Sequence, residues 1–375
     1  MTAGTAKQKV VIIGAGIIGA TIAFNLSRRP DVDLTVIDHA QPGSGASSHS
    51  FAWINAFGKE PLHYHELNRQ SMNMWDRLVR RLDADVGLRW GGEISWVSTE
   101  PEAERLRERI ATLQPRGYAV RLIDEAELRR LEPGLNPESF TAGEFSENDG
   151  HVDVPAVVEA CLRRVEEAGG TVHPNTSVRR LIREGDRVRG VQTEGGELSC
   201  DVVVLAAGLG VTSLAALVDL EIPQQESPGV VGKTGPLAPV FKTTSVLYTP
   251  PLNEERGPIH IRQYRDGRLM IGEGSQESVT SDDSQEHAED MLSRAIHHVP
   301  AIKGASISPV PVGYRPMPLD GFPILGFTSA VPNLYVAVMH SGVTLAPLVG
   351  EFASLEIADG AVVEMFEPYR LERFG

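Results

Sequence analysis

The chain has 375 residues and a mass of 40.6 kDa, enough for two or three domains at roughly 100–200 residues each. Hydrophobic residues make up 41% and charged residues 23%, with 37 Gly and 25 Pro, a composition that excludes a mainly disordered, collagenous or coiled-coil chain. The 50 Asp+Glu against 35 Lys+Arg give −15 at pH 7, a charge that repels phosphate backbones and anionic lipid, so a small molecule is expected as partner rather than nucleic acid or a membrane.

In chain order, the first element is a β-branched strand, Lys9 to Ile13, which stops at Gly14-Ala15-Gly16-Ile17-Ile18-Gly19 and continues into a helix-like stretch, Ala20 to Arg28. A second strand, Leu34 to Ile37, ends at Asp38. This is a βαβ unit with G-x-G-x-x-G at the first turn and an acidic residue closing the second strand. Gly14 permits the tight turn, Gly16 lets the backbone approach a pyrophosphate, and Gly19 lets the helix pack close to the strand. The start of the helix, with Ile17 and Ile18 leading into it, offers N–H groups to phosphate, while Asp38, followed by His39, can accept hydrogen bonds from ribose hydroxyls.

Further along, Glu102 to Gln114 reads as a charged helix, and Val154 to Glu167 as an amphipathic helix ended by Gly169-Gly170. Thr171 to Val178 reads as a strand, followed by strands around Arg187 to Thr193 and Asp201 to Ala206, the last closed by Ala207-Gly208. Residues 219–310 are Pro-interrupted, with strand pieces at Thr244–Tyr248, Ile259–Tyr264 and Arg268–Ile271, and Val343 to Ile357 reads as an apolar-faced helix. The return of strand and helix patterning predicts an α/β protein with a discontinuous Rossmann-like nucleotide-binding domain, 1–85, 149–218 and 311–375. The remainder, 86–148 and 219–310, is expected to form a second, mostly antiparallel β-sheet domain for substrate. Cys161 and Cys200 lie outside any paired spacing, so neither a disulfide nor a metal site is expected and a cytoplasmic setting fits. No export signal or membrane-spanning run is expected, and the composition is compatible with an oligomer.

Four blocks together resemble the FAD-dependent amine and amino-acid oxidoreductases, the family of D-amino-acid oxidase, glycine oxidase and monomeric sarcosine oxidase. They are VVIIGAGIIGATIAFNLS with Asp38; GSGASS at Gly43–Ser48; DGHVDVPAVVEACLRRVEEAGG through DVVVLAAG; and GYRPMPLDGFPILG followed by NLYVAVMHSGVTLAPLVGE. The resemblance implies FAD, and oxidation of the C–N bond of an amino acid or secondary amine by hydride transfer to flavin N5, giving an imine that hydrolyses. It implies oxygen, a quinone or another electron carrier as acceptor. By the same resemblance Val178 lies at the adenine, Ala207 and Gly208 lie near the pyrophosphate, and Gly45, Ala46, Ser47, Ser48 and His49 line the flavin. A nicotinamide-dependent dehydrogenase would share the first block but not need the last, and a catalytically silent flavin-binding subunit would keep the flavin fold without turnover.

The last block is where the flavin ring is expected to be stabilised, with the N–H groups of Gly342, Val343 and Thr344 at the start of the helix directed at it, next to His340 and Ser341. Arg315 matches the Arg of the G-x-R-P block that binds a substrate carboxylate in glycine-oxidase-like members, a task suited to a guanidinium. The second Arg that those members carry is absent from His340-Ser341-Gly342, so Tyr248, His260, Arg262 or Tyr264 would assist, although each reads more readily as a residue on a sheet face than as a substrate contact. Met317 stands where sarcosine oxidases have the flavin-linking Cys, and Met270 where they have an oxygen-activating Lys. His49 has the spacing of the histidine that carries flavin in relatives of dimethylglycine dehydrogenase, but in a different context, which implies a noncovalent neighbour. His63, Tyr64 and His65 are candidate active-site residues, but an exposed helix start is the simpler reading.

Overall fold

The computed structural model describes residues 6–273 and 281–375, which form two large sheets and their covering helices. The first sheet has six strands in the order Ile324–Phe327, Leu334–Val338, Val202–Leu205, Gln8–Ile13, Val32–Ile37, Thr171–His173. All neighbours are parallel except the first pair. Runs such as VVVL and LYVAV are buried on both faces, which is why they are apolar throughout rather than alternating. The helices Ile17–Leu26, Val154–Glu167 and Gly342–Asp359 share one hydrophobic core on one side. A Cβ at Gly350 would lie 2.9 Å from the Thr21 backbone, so a glycine sets how closely the first and last helices cross.

The second sheet has eight strands in the order Ile307–Pro318, Gln224–Pro236, Arg268–Glu273, Ile259–Gln263, Val246–Tyr248, Glu93–Val97, Ala142–Ser146, Val120–Ile123. It is antiparallel except where Val246–Tyr248 runs parallel to Glu93–Val97. Alternation splits its faces. Ile94, Trp96, Leu247, Ile259, Ile261 and Ile271 point to a core under the helix Gln285–His298. Tyr248, His260, Arg262 and Met270 occupy the other face by strand period and register.

Several elements differ from expectation. The first helix starts at Ile17 rather than Ala20, immediately after the last loop residue that the phosphate motif needs. The stretch expected as one strand from Thr171 to Val178 is two, because Pro174 has no N–H for the ladder and Asn175 adopts φ +51°. Val178 therefore opens a separate three-stranded antiparallel sheet. The strand Ile307–Pro318 runs unbroken across the boundary expected between 310 and 311. In the helix Leu62–Met72 the start is exposed at Leu62 and His63 as expected, but Tyr64 and His65 are buried.

Candidate active site

At the nucleotide end the glycines divide their tasks. Gly14 sits at φ +111°, and a Cβ there would lie 2.5 Å from Ala206; at Gly19 one would lie 1.9 Å from the Gly14 carbonyl, so both serve close packing. Gly16 is different: a Cβ would meet only the Ser47 hydroxyl, at 3.3 Å, so the space above it is open. Ser47 caps the helix by accepting from Ile17 N–H at 3.1 Å, which ties the Ala46–His49 turn to the glycine loop. Asp38 clamps the same loop, its two oxygens accepting from Ala15 N–H at 2.7 Å and Ala40 N–H at 2.9 Å, and each keeps a lone pair for another donor. His39 stands mostly in solvent, 3.3 Å from Asp38. Ala207 and Gly208 follow the central strand Val202–Leu205, with Gly208 at φ +58° and its carbonyl accepting from Gln224.

At the other end, the side chains lie over a floor of glycines on the eight-stranded sheet. Arg315 leans across Gly229, where a Cβ would lie 3.3 Å from its guanidinium carbon. Its Nε donates to the Ser227 carbonyl at 3.2 Å and its Nη2 to that of Pro228. Asp320 pairs with Arg373 and not with Arg315. His260 leans over Gly272, where a Cβ would lie 2.4 Å from Nε2, and its ring meets Phe51 edge-on at 4.2 Å and stacks with Tyr248 at 6.4 Å. Burial, then Arg315, then Arg262, hold His260 down to about 3. His49 packs against Gly313, and its Nδ1 lies 3.0 Å from the Gly45 carbonyl.

The start of the last helix faces this group. Ser341, at φ +59°, precedes Gly342, and the first N–H groups of the helix have no partner within it. Gly342 lies beside Ile18, so the N-termini of the first and last helices approach one another. The Thr344 hydroxyl, expected at the cofactor, is buried and engaged by the main chain of Trp53 and Asn55. Tyr64 donates to the Ser341 hydroxyl at 3.3 Å, which lies 3.0 Å from His340 Nδ1. With Ser341 donating onward, His340 holds its own proton on Nε2. Burial, then Lys59 and Arg315, push the His340 pKa well below its usual value. Both histidines are thus neutral at pH 7, His260 beside Arg315 and Arg262 and His340 beside Lys59 and Arg315.

The sequence matches the FAD-dependent oxidoreductase family over residues 9–354. The chain belongs to that family. It is 28% identical over 378 residues to one of the subunits of opine oxidase from Agrobacterium tumefaciens (strain Ach5), with 97% of both chains covered. It is 28% identical over 355 residues to glycine oxidase of Geobacillus kaustophilus (strain HTA426), with 92% of each covered. The crystal structure of glycine oxidase from Geobacillus kaustophilus, 26% identical, superposes with a TM-score of 0.84 over 98% of this chain and 99% of that one. This FAD-dependent oxidoreductase is an enzyme, and FAD takes the place of the nicotinamide considered above.

The residues present fit FAD. An open cradle lies over Gly16, Asp38 keeps acceptor capacity, and two helix N-termini converge with N–H groups outward. Lys59, which sequence reasoning missed, joins the ring-end cluster, and so does Tyr64, which the sequence offered as a possible active-site residue but read more simply as part of an exposed helix start. Tyr64 was discoverable, because Tyr64, Asn68, Ser71 and Met72 recur at helical spacing and form one buried face. Lys59, almost fully buried before that helix, carried no comparable signal. Among the described residues no helix is long and apolar enough to cross a membrane.

Proposed function

We propose that this flavoenzyme oxidises the C–N bond of an amino acid or a secondary amine that bears a carboxylate, and that Arg315 binds that carboxylate. The observation that carries the reading is the convergence of Arg315, neutral His260 and neutral His340 over the glycine floor, opposite the start of the last helix. FAD, when bound, would accept the hydride that leaves the carbon beside the nitrogen as the C–N single bond becomes a C=N double bond. The chain's task is then to hold the substrate carbon about 3–3.5 Å from the accepting atom, keep water out and present the amine unprotonated. Two guanidiniums and Lys59 favour the uncharged amine, because a positive field lowers an ammonium pKa. The imine product hydrolyses in water without needing a protein base.

In this reading Gly16, Ile17, Ile18 and the Gly45–Ser48 turn hold the pyrophosphate side with Ala207 and Gly208, Asp38 and His39 the ribose, and Val178 the adenine. His49 would be a noncovalent neighbour of the ring, and the N–H groups of Gly342 to Thr344 would be available to its pyrimidine edge. Tyr248 closes the substrate side beside His260. The six-stranded layer is the cofactor half and the eight-stranded sheet the substrate half, with the last exchange between them after Pro318. Oxygen or an electron carrier takes the electrons on, and the two free buried cysteines suit a reducing, cytoplasmic compartment. Anaerobic addition of a panel of amines and amino acids tests the whole. Bleaching of the visible flavin band by carboxylate-bearing members supports it, and bleaching only by amines without a carboxylate removes Arg315 from the role.

A further inference from the structure

Asp149 has no task in the function above, yet three separate elements converge on it. It is 1% exposed, and one of its oxygens accepts from the Ser146 hydroxyl at 2.5 Å and from the Tyr118 phenol. The other accepts from Trp53 Nε1 at 2.7 Å. Glu93 and Glu144 stand on the face of the eight-stranded sheet opposite Ile94 and Phe145, and Arg109 pairs with Glu144 rather than with Asp149. Burial pushes the Asp149 carboxyl up to about 7, against its three hydrogen bonds and helped by the charge of Glu144. Burial, Glu144 and Asp149 push Glu93 up as well. An ionised carboxylate only accepts, so all three donors then find a lone pair. An indole only donates, so a proton on Asp149 has to sit on the oxygen facing Tyr118 and Ser146, and one of those hydroxyls has to turn.

Trp53 carries this hold across to the last helix. Its carbonyl accepts from the Thr344 hydroxyl at 3.3 Å, and the same hydroxyl accepts from Asn55 N–H at 3.3 Å. Ala56 N–H donates to the Tyr118 phenol at 3.4 Å. The segment from Trp53 to Ala56 is therefore tied to Asp149 and Tyr118 on one side and, on the other, to Thr344 in the first turn of the helix Gly342–Asp359. Both bonds at Thr344 are long, so the grip on the helix depends on how firmly the segment is held from behind. Ala52, which leads into the segment, sits at φ +60°, a conformation that an alanine keeps only where its surroundings impose it.

We propose that Asp149 is a positioning residue for the cofactor: through Trp53 and Thr344 it holds the start of the last helix in place, and loss of its proton tightens that hold. Hydrogen bonds to a charged carboxylate are stronger than those to a neutral carboxyl, and here they fix the segment that brackets Thr344. This rests on the reading that the start of the last helix faces the flavin.

Flavin retention tests it without turnover. The FAD-loaded enzyme is diluted at a series of pH values on both sides of 7, and the flavin released at equilibrium is read by its fluorescence. The wild type should hold FAD roughly 3- to 10-fold more tightly on the alkaline side of a single step. Asp149→Asn keeps the shape, with its carbonyl toward the Trp53 indole, and should remove the step. Thr344→Val removes only the hydroxyl and should remove the step too, and Asp149→Asn should then add nothing in the double variant. A step that persists in Asp149→Asn belongs to another group, Glu93 first, and overturns the proposal. A step that persists in Thr344→Val overturns it as well, even where Asp149→Asn fails to fold. Gly342→Asp puts a carboxylate at the helix start and should weaken FAD binding about 10-fold or more. Unchanged affinity there overturns the underlying reading and the proposal together, whereas weakening there with no step in the wild type overturns the proposal alone.

Discussion

The two ends of the proposed site would hold their ligands by different means. At the nucleotide end the protein presents backbone: an open glycine, helix N–H groups and one carboxylate that also holds the loop, all within residues 14 to 47. At the ring end it presents side chains from distant segments, with Lys59, Tyr64, His260, Arg315 and His340 reaching one space from both sheets and from the helices between them. A backbone site is set by local conformation and tolerates little variation. A side-chain site can be rebuilt residue by residue on the same floor, which is how one fold can serve many amines.

The most severe test of that contrast is at Gly16. Gly16→Val keeps the packing that Gly14 and Gly19 provide, since only the Ser47 hydroxyl is near, but it fills the cradle. We expect a folded, colourless protein whose far-ultraviolet circular dichroism matches that of the flavin-stripped wild type. Gly19→Ala would instead place a methyl 1.9 Å from the Gly14 carbonyl and should prevent folding. A yellow Gly16→Val, or FMN recovered from the wild type, would break the backbone account.

Arg315 tests the side-chain end. Removing a charge-assisted contact to a carboxylate costs about 1.5–3 kcal/mol, so Arg315→Met should lower kcat/KM by roughly 10- to 100-fold for a carboxylate substrate. Because the same guanidinium also bonds the Ser227 and Pro228 carbonyls beside a strand irregularity, a lower melting temperature should accompany it. Arg315→Lys should recover part of the activity and little of the bracing. Near-normal kinetics in Arg315→Met with a lowered melting temperature would leave the residue a purely structural part.

A third expectation concerns pH. Burial, Arg315 and Arg262 hold His260 at about 3 in the fold, against an ordinary 6.5 in the unfolded chain. The folded value is the lower one, so its contribution to stability is complete above 6.5 and is lost as pH falls toward 3. Melting temperature measured across that window should drop, and drop less in His260→Gln. Parallel curves for the two proteins would mean that the ring is already solvated.

The same contrast explains what the sequence disclosed. The βαβ unit was legible because Gly16, Gly19 and Asp38 answer to neighbours within about one supersecondary unit and Gly14 takes a positive φ, even though Gly14 also packs against the distant Ala206. The alternation of Ile259 and Ile261 with His260 and Arg262 separated core face from cavity face, although not which of the polar pair would stand near Arg315. Three things were hidden. Lys59 is buried by tertiary packing alone, the Thr344 hydroxyl is taken by a strand nearly 300 residues away, and Asn175 breaks a run that apolar patterning reads as continuous. In each case a long-range contact or a backbone dihedral decides, and neither leaves a local trace.

Tyr64 should give the smallest effect, and for that reason it discriminates best between a positioning role and packing. Its phenol donates to the Ser341 hydroxyl at 3.3 Å, a long bond, and through Ser341 it orients His340. Tyr64→Phe keeps the ring against Phe322 and Tyr369 and removes only the oxygen, so melting temperature and flavin content should stay close to wild type. A neutral hydrogen bond contributes about 0.5–1.5 kcal/mol, which limits the loss in kcat to roughly 2- to 10-fold. If the hydroxyl fixes the His340 tautomer, that loss should fall on kcat with KM little changed, and Ser341→Ala should reproduce it without adding to it in the double variant, because both changes cut the same chain of donors. Additive losses would show two independent contacts, and an unchanged kcat would return Tyr64 to the core as a packing residue whose hydroxyl happens to find a partner.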